Sequence, residues 1–145
     1  MNIIPFRAEH LSQINMQERH RRTVSYLTPE YVQVLARGPA ISAVADDRII
    51  ASTGILLQFP GLGSLWGLVS QDAGPHVVRM YRAACRFLEI PKLRRIEATV
   101  ETDFEDGCRW LELLGFEREG RMTKYGPNSE DHYRYAWTGP RRLLN

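Results

Sequence analysis

Four histidines, two cysteines and three basic runs are the side chains of this 145-residue chain whose types and spacing invite a chemical reading. Zinc sites repeat Cys and His at short intervals. Here Cys85 and Cys108 stand 23 residues apart with no CxxC, and His10, His20, His76 and His132 share no ligand spacing. No metal is therefore expected, the histidines read as surface or hydrogen-bonded groups, and both thiols read as buried free cysteines. The runs Arg19 to Arg22, Lys92 to Arg95 and Arg141 with Arg142 have the charge to hold phosphates. No aromatic stacking platform interleaves them and the net charge is only +2, so they read as solvated faces and no nucleic-acid partner is expected. Trp66 reads as a core residue, with an acyl or acceptor pocket as the alternative.

These groups need a scaffold, and length and composition limit which one. At 145 residues, with 43% hydrophobic and 25% charged residues, the chain has material for one core, so a single domain over residues 1–145 is expected. The most apolar stretch, Gly54 to Val69, is broken by Gln58, Pro60 and Ser64, too soon for a membrane span. Arg7 and Glu9 interrupt the N-terminus before an apolar run can form. The expectation is a chain that starts at Met1, carries no secretory leader, makes no membrane contact and resides in the cytoplasm.

The periodicities predict an alternation of strands and helices. Ile3 to Phe6 is strand-like and Ala8 to Arg22 weakly helical. Thr28 as N-cap, Pro29 at the first helical position and Gly38 with Pro39 as stop delimit a helix over Pro29 to Arg37. Ile41 to Ala45 and Arg48 to Gln58 form a hairpin around Asp46 and Asp47, and a turn with Pro60, Gly61 and Gly63 leads to a third strand, Ser64 to Ser70. From Pro75, the apolar stripe Val77, Met80, Tyr81, Ala84, Cys85 and Leu88 marks a helix ended by Pro91. Arg95 to Glu101 alternates as a half-buried strand, and the helix before it implies a crossover to a parallel pair. Thr102 and Glu105 read as a capping box for a helix starting near Asp103 and stopped by Gly115. Two strands close the chain, Phe116 to Tyr125 and His132 to Thr138, the latter carrying Tyr133, Tyr135 and Trp137 as core or as a homodimer face. The class is α+β: about seven strands in a central, mainly antiparallel mixed sheet flanked by helices.

This order, together with Leu111, Glu112, Leu114, Gly115, Phe116, Glu119 and Gly120 and the string from Glu130 to Thr138, resembles the GNAT superfamily of acetyl-CoA-dependent N-acetyltransferases. The likeness covers nearly the whole chain and is nearest to the branch that acetylates ribosomal-protein N-termini. It implies acetyl-CoA as co-substrate, bound where the strand Ser64 to Ser70 meets the helix from Pro75. Leu68, Val69 and Ser70 would pair with the pantetheine arm, and Ala73, Gly74 and His76 would face the phosphates, as a helix N-terminus suits an anion. The family's pyrophosphate loop reads Q/R-x-x-G-x-G/A, whereas this chain has Gln71, Asp72, Ala73, Gly74, Pro75 and His76, a degenerate form with an added carboxylate.

The transfer the resemblance implies also needs a base for the acceptor ammonium and an acid for the leaving thiolate. The tyrosine of common family members falls on Leu111, the serine of the nearer branch on Gly107, and the family's asparagine on Phe104. Glu101 is then the candidate base and Tyr125 the candidate acid, each with a plain alternative as a strand-end carboxylate and a sheet residue. The acceptor amine is not identified. Small phage-encoded GNAT-like proteins, including internal virion proteins, are also similar around Leu65 to Ser70 and Arg109 to Phe116, which keeps open a catalytically silent protein with a structural or interaction role.

Overall fold

The computed structural model describes residues 1–140, so Arg141 and Arg142 of the last basic run lie outside the described residues. In chain order the elements are β1 (Asn2–Pro5), α1 (His10–Gln13), α2 (Glu18–Val24), α3 (Pro29–Arg37), β2 (Ala40–Ala45), β3 (Arg48–Phe59), β4 (Leu62–Val69), α4 (Val77–Glu89), β5 (Arg95–Glu101), α5 (Glu105–Leu113), β6 (Glu117–Met122) and β7 (His132–Trp137). Seven strands hydrogen-bond in the order β1-β2-β3-β4-β5-β7-β6. The pairs β1–β2, β2–β3, β5–β7 and β6–β7 are antiparallel, while β4–β5 is parallel. This is the mixed α+β sheet that the alternation predicts. No helix among the described residues is long and apolar enough to cross a membrane.

The chain divides into two units, Met1–Leu56 with Leu65–Ala84, and Leu57–Ser64 with Cys85 onward. In the first, Phe6, Leu11, Ile14, Met16, Leu35, Ile49 and Leu68 are buried together, and Trp66 packs against them half-buried, its ring edge-on to Phe6. Asp46 and Asp47 both take positive φ in the β2–β3 turn, the backbone that a two-residue hairpin matching strand twist requires. Thr28 accepts a hydrogen bond from the Tyr31 N–H at 3.1 Å and caps α3 as its position predicts. Gly38 is not in the left-handed region. It is small because an added Cβ would lie 2.5 Å from the Ile55 carbonyl oxygen.

The expected helix from Ala8 to Arg22 is two helices. Ile14 and Gln17 are extended, because the segment between them is drawn into other bonds: Met16 bridges Ser70, and the Gln71 N–H donates to the Asn15 carbonyl at 3.0 Å. The Arg21 guanidinium and the Gln71 amide both donate to the Met16 carbonyl, so the carbonyls of Asn15 and Met16 at the break are hydrogen-bonded.

In the second unit Ile96, Ala98 and Val100 of β5 are buried, with Cys108, Leu111, Leu114, Phe116, Tyr135, Ala136 and Trp137. Tyr135 and Trp137 are thus core, while Tyr133 is half-buried under the Arg118 guanidinium, 3.7 Å from its ring centre. Of the two thiols, Cys108 is buried and Cys85 only half-buried. The capping box does not form: α5 starts at Glu105 after Phe104, with no side-chain cap bond. Glu105 and Asp106 in the first turn still place negative charge at its positive end. At the other end Gly115 has φ 100°, its N–H donates to the Glu112 carbonyl at 3.1 Å and the Phe116 N–H to that of Leu111 at 3.0 Å. These are the paired closing bonds of a Schellman motif, the physical content of the Leu-Gly-Phe string. β6 is shorter than the expected Phe116 to Tyr125 run. Its register against β7 shifts between Arg118 and Gly120, and Lys124 turns at positive φ.

Candidate active site

The residues assigned to the cofactor lie in the first unit. Leu68, Ser70 and Ala73 are buried, Val69 and His76 half-buried. The stretch Gly74–His76 is a turn of 3₁₀ helix leading into α4. An added Cβ at Gly74 would meet no atom within 4 Å, so the loop is open there. Asp72 does not cap the helix. Its Oδ2 accepts from the Asn15 amide at 3.1 Å, its N–H donates to the Ser70 hydroxyl at 3.0 Å, and the single proton of that hydroxyl is shared between the Asn15 carbonyl at 3.3 Å and Oδ2 at 3.4 Å. The Asn15 amide thus engages the carboxylate, and Asn15 and Met16 secure the loop beside an open cleft of about 470 Å³ lined by Leu11, Ile14, Arg21 and Val24 among others.

The backbone donors of the loop are mostly engaged. Gln71 donates to Asn15, Ala73 to the Ser70 carbonyl, His76 to the Ala73 carbonyl and Val77 to Gly74; Pro75 has no N–H. An anion at this turn would rely on the backbone at Gly74.

Glu101 and Tyr125, the candidate base and acid, both lie in the second unit, and the structure brings them together around His132, whose spacing alone suggests only a surface or hydrogen-bonded group. Glu101 at the end of β5 stands directly opposite His132 of β7 in the antiparallel register, so their side chains share one face. The Tyr125 ring lies 5.1 Å from the His132 ring, centre to centre, tilted 59°. Glu130 completes the group, its Oε1 3.6 Å from His132 Nε2. Backbone N–H groups, including that of Asn128 at 2.8 Å, and the neighbouring imidazole hold the Glu130 carboxyl below the usual carboxylate range. Tyr125 is half exposed and Glu101 half-buried.

His132 and Glu130 were legible only through register. Nothing in the spacing of residues 101, 130 and 132 announces a cluster; pairing the last strand with β5 does. The substituted family positions also acquire a physical description. At Gly107 a Cβ would lie 2.6 Å from the Phe104 ring and 2.7 Å from Val100, so Phe104 fills the space a serine would occupy.

The fold that carries these groups is that of the GNAT acetyltransferases. Solved structures sharing it include Ard1 from Thermoplasma volcanium (TM-score 0.76, 13% identity, 94% of this chain and 95% of that one). A ribosomal-protein-S5-alanine acetyltransferase from Vibrio fischeri (TM-score 0.66, 19% identity, 94% and 91%) and a GNAT-family acetyltransferase from Bacillus anthracis (TM-score 0.65, 16% identity, 94% and 93%) are also similar. No protein-family model matches the sequence, and neither does any curated protein.

Proposed function

We propose that this protein is an acetyl-CoA-dependent N-acetyltransferase acting on a primary amine of a small molecule or a protein N-terminus. The observation that carries the reading is the grouping of Glu101 with His132 and Tyr125, in a fold whose solved examples transfer acetyl groups. Glu101 takes the proton that the acceptor ammonium must lose before its lone pair attacks the thioester carbonyl. Tyr125 gives a proton to the sulfur as the C–S bond breaks. The strand residues Leu68, Val69 and Ser70 and the turn Ala73, Gly74 and His76 hold acetyl-CoA, which supplies the activated acyl group. The Asn15 amide bonded to the Asp72 carboxylate reduces its repulsion of a pyrophosphate. A neighbour named for ribosomal protein S5 alanine keeps a protein acceptor in the reading.

A second reading, a silent GNAT fold kept for assembly, is favoured by the internally bonded loop and by the Phe104 ring beside Gly107. Titration calorimetry with acetyl-CoA, using desulfo-CoA and ADP as controls, separates the two. Micromolar binding, roughly 8 kcal/mol, is expected; no heat and no thermal stabilisation at millimolar acetyl-CoA would overturn the enzyme reading.

A further inference from the structure

We propose that Glu101, Glu130 and His132 form a binding site for one divalent transition-metal ion, with zinc the best match. The three offer one ligand atom each, all within 4.8 Å of one another. Around zinc, ligands at about 2.1 Å in tetrahedral array lie roughly 3.4 Å apart, a contraction within reach of two glutamates with several rotatable bonds each. One imidazole nitrogen with two carboxylates suits a borderline cation and leaves a fourth position for water.

A second observation, on the state of the His132 ring, also points to a ligand. Both His132 ring nitrogens are sealed from solvent with no hydrogen-bond partner, and the side chain is only 15% exposed. Buried polar atoms are rarely left so, and the contact from Nε2 to Glu130 Oε1, 3.6 Å, is longer than a normal hydrogen bond. A metal ion on Nε2, the nitrogen that faces Glu130, supplies a partner for one of the two.

The surroundings suit a cation. Arg121 is held by Asp131 at 2.7 Å and Arg134 by Glu97, so neither is spent on Glu130. Glu130 Oε2 is fixed by the Asn128 N–H, while Oε1 lies where a Cβ on Gly126 would stand, 1.7 Å away. The glycine is what lets this carboxylate lie over its own turn, and the Tyr125 ring covers the imidazole. The ion would occupy the Glu101 lone pair that base catalysis needs, so metal loading would inhibit acetyl transfer. The site itself does not depend on that activity.

The test uses the full, untagged chain stripped with chelator and titrated with zinc chloride by calorimetry and with cobalt(II) by visible absorption, without acetyl-CoA in any arm. One equivalent is expected to bind, with cobalt bands of low-coordinate geometry. Glu130→Gln and His132→Gln should each weaken binding about tenfold or more, a loss of about 1.4 kcal/mol or more. Absence of binding, or affinity that both variants retain, would overturn the site. If His132→Gln fails to fold, Glu130→Gln on its surface turn decides alone.

Discussion

Glu101 sits at the end of a strand with a histidine directly across from it and a tyrosine ring on that histidine. A carboxylate in such a place has two uses, accepting a proton or binding a cation, and single substitutions distinguish them. In the transfer reaction Glu101→Gln removes the base and keeps the shape. Steady-state kinetics should show turnover lower by about 10² to 10⁴-fold, the usual worth of general base catalysis, with acetyl-CoA affinity by calorimetry nearly unchanged. Full turnover in that variant would remove Glu101 from the reaction. Gly74→Glu acts on the other half of the proposal. The open position at Gly74 would then carry a like charge against the phosphates, and acetyl-CoA binding should be lost; retained affinity would place the cofactor elsewhere.

Helix α5 shows how packing overrides local preference. Gly107 lies inside it, where alanine would ordinarily gain up to about 1 kcal/mol of helix propensity. The Cβ it would add meets the Phe104 ring at 2.6 Å and a Val100 methyl at 2.7 Å, and overpacking of this kind costs about 1 to 3 kcal/mol. The clash outweighs the propensity, so Gly107→Ala should lower the urea midpoint, and a rise would show that Phe104 moves aside freely. The same helix marks the limit of what sequence discloses. Its end was legible because Gly115 and Phe116 write a Schellman motif in residue types. Its start is not legible, because a Thr-x-x-Glu string is compatible with a capping box without enforcing one, and Phe104 takes the cap position instead. Likewise Ala8 to Arg22 carries helix formers throughout, yet Asn15 and Met16 are claimed by Ser70 and Gln71 from the far end of β4. Long-range hydrogen bonds of that kind leave no local trace. The cluster of Glu101, Glu130 and His132 was hidden for the same reason, since it exists only once β7 is set beside β5.

At the scale of the whole chain, titratable groups tie stability to pH in two separate windows. Glu119, Glu130 and Asp131 have their carboxyls held below the usual range, by Arg95, by backbone N–H groups including that of Asn128, and by the Lys124 N–H with Arg121, respectively. A depressed carboxyl stabilises the fold above its unfolded value, so these contributions fade only as pH falls below about 4.5. His10 acts earlier. It is 1% exposed, and its Nδ1 accepts from the Arg7 N–H at 3.2 Å. The Ser42 hydroxyl, 2.8 Å away, must then donate to the same nitrogen and take the Ser52 hydroxyl as its own donor, which leaves the proton on Nε2. Burial, and then the Arg7 charge, push the imidazole below its ordinary 6.5. Protonating Nδ1 would turn two accepted bonds into opposed donors. The unfolded chain therefore takes up a proton first as pH falls through about 6.5, and stability present above that value is lost on the way down, at no more than about 1.4 kcal/mol per pH unit. Urea midpoints should be level between about pH 8 and 7 and should decline from about pH 6.5 to 5. His10→Gln should lower stability at every pH and flatten the decline, because the group that titrates there is gone. A slope that persists in the variant would assign that proton to another group.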